Sequence, residues 1–213
     1  MFADLTGFTP LTAAMGDDAA ADVLQRFGAL VRRACADNFG RIVKQIGDAF
    51  MLVFDGGRDA VLCGVQIRDL CGNEVRFPAV HIGAHTGEAL FRDGNYVGNT
   101  VNLTARVASA TLPGQFLVTA DVVRDLDLPG QITLSPQPPR PDKGIREPVQ
   151  TVAVGTPRSR RVRVTDPVCG MELDPEGDAV RRTIDGTQWR FCSDACAAVH
   201  TTLPSPGRVD GQG

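Results

Sequence analysis

The chain has 213 residues, 43% of them apolar and 22% charged, enough for one ordinary domain and a smaller one. A net charge of −3 supplies no basic field for nucleic acid, and no apolar run reaches the ~18 residues that a membrane span needs. The start, Met-Phe-Ala-Asp, lacks the basic-then-apolar pattern of a secretory leader, so a cytoplasmic protein is expected, with its six cysteines as free thiols or metal ligands.

Asp4 closes a short apolar stretch at the start of the chain. Thr9-Pro10 predicts a helix start, with threonine as cap and proline at the first helical position. Asp17-Asp18 opens a second helix, whose apolar Val23, Leu24, Phe27, Leu30 and Val31 share one face. Arg41–Ile46 and Ala49–Phe54 are β-rich runs separated by Gly47-Asp48, which reads as a hairpin. Helical spacing returns over Asp59–Leu70. Ala79–Phe91 is β-like with interruptions at Gly83 and Gly87, Val97–Ala110 is a helix, and Phe116–Thr119 and Val149–Val154 are strands. Helices interleaved with hairpins over residues 1–154 predict an α+β layer fold. Residues 155–165, with Pro157 and four arginines, read as a basic linker. Residues 166–200 form a compact cysteine-containing unit, and 201–213, rich in proline and glycine, a disordered tail.

Four segments hold the chemistry: Phe2-Ala3-Asp4-Leu5-Thr6-Gly7-Phe8-Thr9, Lys44-Gln45-Ile46-Gly47-Asp48, Gly98-Asn99-Thr100-Val101-Asn102-Leu103-Thr104-Ala105-Arg106 and Asp142-Lys143-Gly144. If the strands carrying Asp4 and Asp48 are neighbours, the two carboxylates converge as Mg²⁺ prefers, beside substrate phosphates. Asn102 and Arg106 are four apart on a helix and share a face suited to a developing phosphate charge; Val101, Ala105 and Ala108 are expected to pack on the other side.

Taken together, and in this order, the four segments resemble the class III nucleotidyl cyclase catalytic domain over residues 2 to about 154. The resemblance implies a ferredoxin-like core, an antiparallel-rich sheet with helices packed on it. It implies that Asp4 and Asp48 bind two Mg²⁺ or Mn²⁺ ions, that Lys44 contacts the purine, and that Asn102 and Arg106 orient the ribose and stabilise the transition state. Lys143 would hold the triphosphate. It further implies a homodimer whose sites take the aspartates from one protomer and the Asn/Arg pair from the other. The base-reading partner of Lys44 falls at Asn95, where adenylate-specific members often carry Asp or Thr. Guanine-specific members favour Glu at position 44, so Lys44 points to ATP as substrate and cyclic AMP as product. Family members carry a longer first strand, so a start upstream of Met1 or a longer parent chain is expected, and so short a central strand would be weakly held.

The C-terminal cysteines are spaced Cys169-x22-Cys192-x3-Cys196. Cys192 and Cys196 lie one helical turn apart, so both sulfurs can face one soft ion, Zn²⁺ or copper. His200, a turn further on, is a candidate fourth ligand, and Met171 a core filler that could also approach a soft metal. Asp166-Pro167-Val168-Cys169-Gly170-Met171, Gly186 before Trp189, and Phe191-Cys192-Ser193 resemble a YHS domain, close to the TRASH metal-binding modules. Cys35, Cys63 and Cys71 have no ligand spacing and read as core thiols. His81 and His85, four apart in one strand, are candidates for a metal pair or for cleft histidines. The leading expectation is an adenylate cyclase with a metal-responsive module. The alternatives are a metal sensor or trafficking protein with an inactive cyclase-like domain, or a cyclase for GTP or a pyrimidine nucleotide.

Overall fold

The computed structural model describes residues 1–138, 149–157, 164–174, 177 and 179–202. Lys143, most of the basic linker and nearly all of the expected tail lie outside the described residues. Seven strands build one sheet in the order β2-β3-β1-β4-β7-β9-β8. They are β1 (Phe2–Leu5), β2 (Arg41–Ile46), β3 (Ala49–Val53), β4 (Val80–Ala84), β7 (Phe116–Thr119), β8 (Thr133–Pro136) and β9 (Thr151–Gly155). Only β4 and β7 run parallel, so the expected α+β, antiparallel-rich sheet is what the chain forms.

β1 has four residues, yet it is hydrogen-bonded on both edges, to β3 and along its whole length to β4. Its alternation puts Ala3 and Leu5 in the core and Asp4 on the other face. The helices α2 (Asp17–Asp37) and α3 (Gly57–Cys71) cover that core with Val23, Phe27, Val31, Val61, Cys63 and Ile67. Phe27 meets Phe50 edge-on with centroids 5.4 Å apart, and burying each such ring contributes about 2–3 kcal/mol. The thiols of Cys35, Cys63 and Cys71 are buried there, as expected of core cysteines.

Several boundaries differ from the sequence reading. The first helix, α1 (Phe8–Met15), starts directly after Gly7 rather than at a Thr9 cap. Pro10 still fits, because the first-turn N–H groups have no intrahelical partner. Within the β-like stretch Ala79–Phe91, expected to be interrupted at Gly83 and Gly87, the sheet strand β4 runs through Gly83 and ends at Ala84. It is followed by a separate hairpin of β5 (Leu90–Arg92) and β6 (Asn95–Val97). β8 was not anticipated; it is an edge strand, where Pro136 removes no needed donor. α4 (Asn99–Ser109) buries Thr104, Val107 and Ala108, whereas Ala105 is exposed, so its inner face is turned from the expected one. A short helix, α5 (Ala120–Val123), follows β7.

α4 lies directly against β4 because Gly83 has no side chain. A Cβ there would sit 2.2 Å from the Ala108 backbone nitrogen. Gly83→Ala is therefore expected to lower stability by about 3 kcal/mol through forced separation of helix and strand. Urea denaturation reads this directly, and a change under about 0.5 kcal/mol would contradict the contact.

The cysteine-containing segment consists of the pairs β10–β11 (Val164–Thr165, Glu172–Leu173) and β12–β13 (Val180–Ile184, Thr187–Phe191), followed by α6 (Asp194–Thr202). It is not a free-standing unit. Val168, Cys169, Met171, Phe191, Cys196 and Ala197 share a buried cluster with Leu11 of α1 and Ala20 of α2. Among the described residues no helix is long and apolar enough to cross a membrane.

Candidate functional site

Asp4 and Asp48 meet because of strand register. Ala3 faces Phe50 across the antiparallel β1–β3 pair, which brings the Gly47-Asp48 turn to the Asp4 end of β1. The Asp48 carboxyl is pushed up to about 6, first by burial and then by the negative charge of Asp4 beside it, with His81 opposing. On the other side Asp4 faces His81 across β1–β4. His81 Nε2 lies 3.5 Å from Asp4 Oδ2, and its Nδ1 lies 3.4 Å from the Thr6 hydroxyl. Asp4 Oδ1 is buried without a hydrogen-bond partner. Two crowded carboxylates and one orphaned buried oxygen fit a divalent cation, which would neutralise both charges and occupy the free lone pairs.

Of the two readings for His81 and His85, a metal pair or cleft histidines, the structure fits the second: His85 lies beyond the strand end and its Nδ1 is 2.8 Å from the Thr119 hydroxyl. The two histidines have different partners and form no metal pair. Burial lowers the His85 pKa, consistent with a neutral ring.

Lys44 is half-buried on β2, next to an irregularity in the β2–β3 ladder. Arg41 of the same strand donates to the Tyr96 hydroxyl at 3.0 Å, fastening the β5–β6 hairpin beside β2. Asn95 opens β6, and its Oδ1 is buried with no partner. Asn102 and Arg106 are both exposed on α4. Among the described residues neither side chain makes an ion pair or hydrogen bond, and nothing links them to Asp4 or Asp48 of the same protomer. The structure thus joins Asp4 with Asp48 and leaves the Asn/Arg pair turned to solvent.

The second cluster is sulfur. Cys169 and Cys192 Sγ are 3.5 Å apart, as are Cys192 and Cys196 Sγ. With Asp166 they form a group whose ligand atoms all lie within 4.8 Å of one another. Hydrogen bonding from Cys169 brings the Cys192 thiol down to about 7; the same bond and burial push Cys169 far up, and burial takes Cys196 to about 12. Asp166, missed in the sequence, is 1% exposed. Its Oδ1 accepts from Val168 N at 2.7 Å and Cys169 N at 3.2 Å, and its Oδ2 from Cys192 N at 2.7 Å. Asp-Pro is a common turn opener, and that was its one legible signal. His200 lies outside this group. Its ring lies against Trp189 and Phe191, with centroids 4.8 and 5.3 Å away, because the aromatic face of β13 lies on that side of α6.

Comparison with known proteins adds the family context. The adenylate and guanylate cyclase catalytic domain family matches residues 1–154. An uncharacterised protein of Mycobacterium tuberculosis is 36% identical over 167 residues, 78% of this chain and 43% of that protein. A pH-sensitive adenylate cyclase of the same species is 36% identical over 58% of this chain and 31% of its own length. The chain therefore spans less than half the length of these curated relatives. Among solved structures, a Trypanosoma brucei adenylate cyclase superposes with a TM-score of 0.67 at 20% identity, covering 81% of this chain and 91% of that one. The GTP-bound guanylate cyclase domain of RhGC from Catenaria anguillulae gives 0.60 at 20%, covering 73% and 93%. Structures of both nucleotide classes share the fold.

Proposed function

The chain belongs to the adenylate and guanylate cyclase catalytic domain family, and from that premise we propose that it converts ATP to cyclic AMP and pyrophosphate at the interface of a homodimer. The observation that carries the reading is the Asp4–Asp48 pair with its partnerless buried oxygen. In the reaction the ribose 3′-hydroxyl loses its proton to water, its oxygen bonds to the α-phosphorus, the bond from that phosphorus to the bridging oxygen of the β-phosphate breaks, and pyrophosphate leaves with the electron pair. Mg²⁺ or Mn²⁺ bound by the two carboxylates would supply Lewis acidity toward the attacking oxygen and the phosphates. Asp4 and Asp48 would hold the metal, and His81 orients Asp4. Asn102 and Arg106 meet the ribose and the charge growing on the phosphate, and Lys143 grips the triphosphate.

Adenine as the base is supported by Lys44 where guanine readers favour Glu, by Asn95 with a free acceptor, and by relatives named adenylate cyclases. A second copy as partner is supported by the unpartnered, outward Asn102 and Arg106 and by Leu90 and Phe91, 62% and 59% exposed on the β5–β6 hairpin. The C-terminal thiols are read as a YHS-like site for Zn²⁺ or copper. That cluster also favours a second reading, a metal sensor whose cyclase fold does not turn over.

The metal reading has a pH signature. Metal binding needs both carboxylates ionised, and Asp48 without metal holds its proton up to about 6. Apparent Mn²⁺ affinity is expected to be flat above pH 7 and to fall about tenfold per unit well below 6. The metal-free protein behaves oppositely. The raised Asp48 pKa makes it most stable below the ordinary value of 3.8, as far as this group is concerned, and that contribution is lost as pH rises through 6. Calorimetric Mn²⁺ titration between pH 5 and 8 measures the first effect. A pH-independent affinity, or one equal in Asp48→Asn, would remove the metal from this site.

A further inference from the structure

The thiol cluster and the carboxylate pair meet at one turn of the chain. Gly7, three residues after Asp4, has φ +66, and a Cβ there would sit 2.8 Å from the backbone of Cys169. Gly170 has φ +67, and a Cβ there would sit 2.5 Å from the Thr6 carbonyl oxygen. Each glycine lets the other segment approach, so the Thr6-Gly7 and Cys169-Gly170 turns interlock. Backbone hydrogen bonds extend the contact. Ala79 N donates to Gly170 O at 2.8 Å, Thr6 N to Ala79 O at 2.8 Å, and Glu172 N to Phe77 O at 3.2 Å. Thr6 also contacts His81, the partner of Asp4. Beneath the turn, Leu11 is buried against the group that holds Cys169 and Cys196.

We propose that residues 166–171 are a positioning element for Asp4, and that a soft metal ion on Cys169, Cys192 and Cys196 holds that element in place. The proposal rests on reading Asp4 and Asp48 as the catalytic metal site. Three thiolates around one ion at ~2.3 Å lie roughly 4 Å apart, so sulfurs already at 3.5 Å, with the whole group within 4.8 Å, move by about half an ångström on loading. Loading therefore acts on the stability of the docked segment and not on its shape. So small a segment buries little core of its own, and metal binding adds directly to its folding free energy. Without the ion the Cys169-Gly170 turn loosens, and with it the cover over Thr6-Gly7 and the hold on Asp4. Both oxygens of Asp166 are engaged in holding the amides of Val168, Cys169 and Cys192, and the three sulfurs are the soft donors of the group, a set that favours Cu(I). Cys192 is half-buried and borders a cleft of about 180 Å³ lined by Arg76, Glu172 and Asp174, which gives the ion a way in.

The test uses the full reduced chain with and without Cu(I), supplied as its bicinchoninate complex. Cu(I) is too soft an ion for the hard carboxylate site, so the two ions are separable. Two quantities are read: amide hydrogen exchange over residues 4–8, and Mn²⁺ affinity by electron paramagnetic resonance. The expected result is a single Cu(I) per chain, slower exchange at Thr6 and Gly7, and Mn²⁺ affinity raised about tenfold, with all three lost in Cys192→Ser. Cu(I) uptake with unchanged exchange and unchanged Mn²⁺ affinity would overturn the proposal, as would no Cu(I) uptake by the wild-type chain. Slowed exchange with no Mn²⁺ binding in either state would sink the reading of Asp4 and Asp48 instead, leaving the coupling of thiols to the turn intact.

Discussion

Replacing Asp48 with alanine is expected to cut cyclic nucleotide formation by about 10³-fold or more and to leave a cooperative fold. The side chain sits at a two-residue turn, half-buried, and makes no bond that the β2–β3 ladder needs. Its charged form is held at a cost, as its raised pKa shows, because burial and the neighbouring Asp4 both disfavour ionisation. Removing it relieves that repulsion, so the metal-free stability at pH 7 should not fall. Chemistry, in contrast, loses half of the carboxylate charge that holds the metal. Product quantified by mass spectrometry beside a urea melt separates the two effects. Turnover within tenfold of wild type, in a folded variant, would remove Asp48 from the reaction.

Arg106→Ala is expected to lower kcat by about 10²–10³-fold with little effect on stability. Arg106 is exposed on α4 and unpartnered, and alanine is at least as good a helix former, so the fold has nothing to lose. Its kinetic importance comes entirely from a ligand or a second protomer. That makes a sharper experiment available. When Asp48→Ala and Arg106→Ala chains are mixed in equal amounts, half of the dimers pair one of each. If a site takes its carboxylates from one protomer and its arginine from the other, each mixed dimer holds one complete site. Activity should then recover to about a quarter of wild type. If every protomer carries its own full site, mixing restores nothing.

Much of this was legible in the sequence, for identifiable reasons. The amphipathic faces of α2 and α3 and the β2–β3 hairpin follow from local periodicity and turn chemistry, so the layer fold and the position of Asp48 could be read directly. The Asp-Gly turn at Asp185-Gly186 carried the same kind of signal for β12–β13 and was passed over. What was hidden depends on long-range pairing. His81 becomes the neighbour of Asp4 only through the β1–β4 register, and nothing in its local sequence favours that over a pairing with His85. The fit of Gly7 against Cys169 is likewise invisible, because a glycine that tolerates close approach does not say what approaches. The surroundings of His200 were hidden for a related reason: helical spacing puts it one turn from Cys196, but its ring lies against the aromatic side chains of β13.

The measurement that tests the central claim most directly is turnover. The protein is incubated with Mn²⁺ and, in separate reactions, ATP, GTP, CTP or UTP, with Asp48→Ala alongside, and cyclic nucleotides are quantified by mass spectrometry. Cyclic AMP formed in preference to the other three products, and lost in Asp48→Ala, is the predicted result. Equal product from the wild type and Asp48→Ala, or none from any nucleotide with Mn²⁺ bound at the carboxylates, would contradict it.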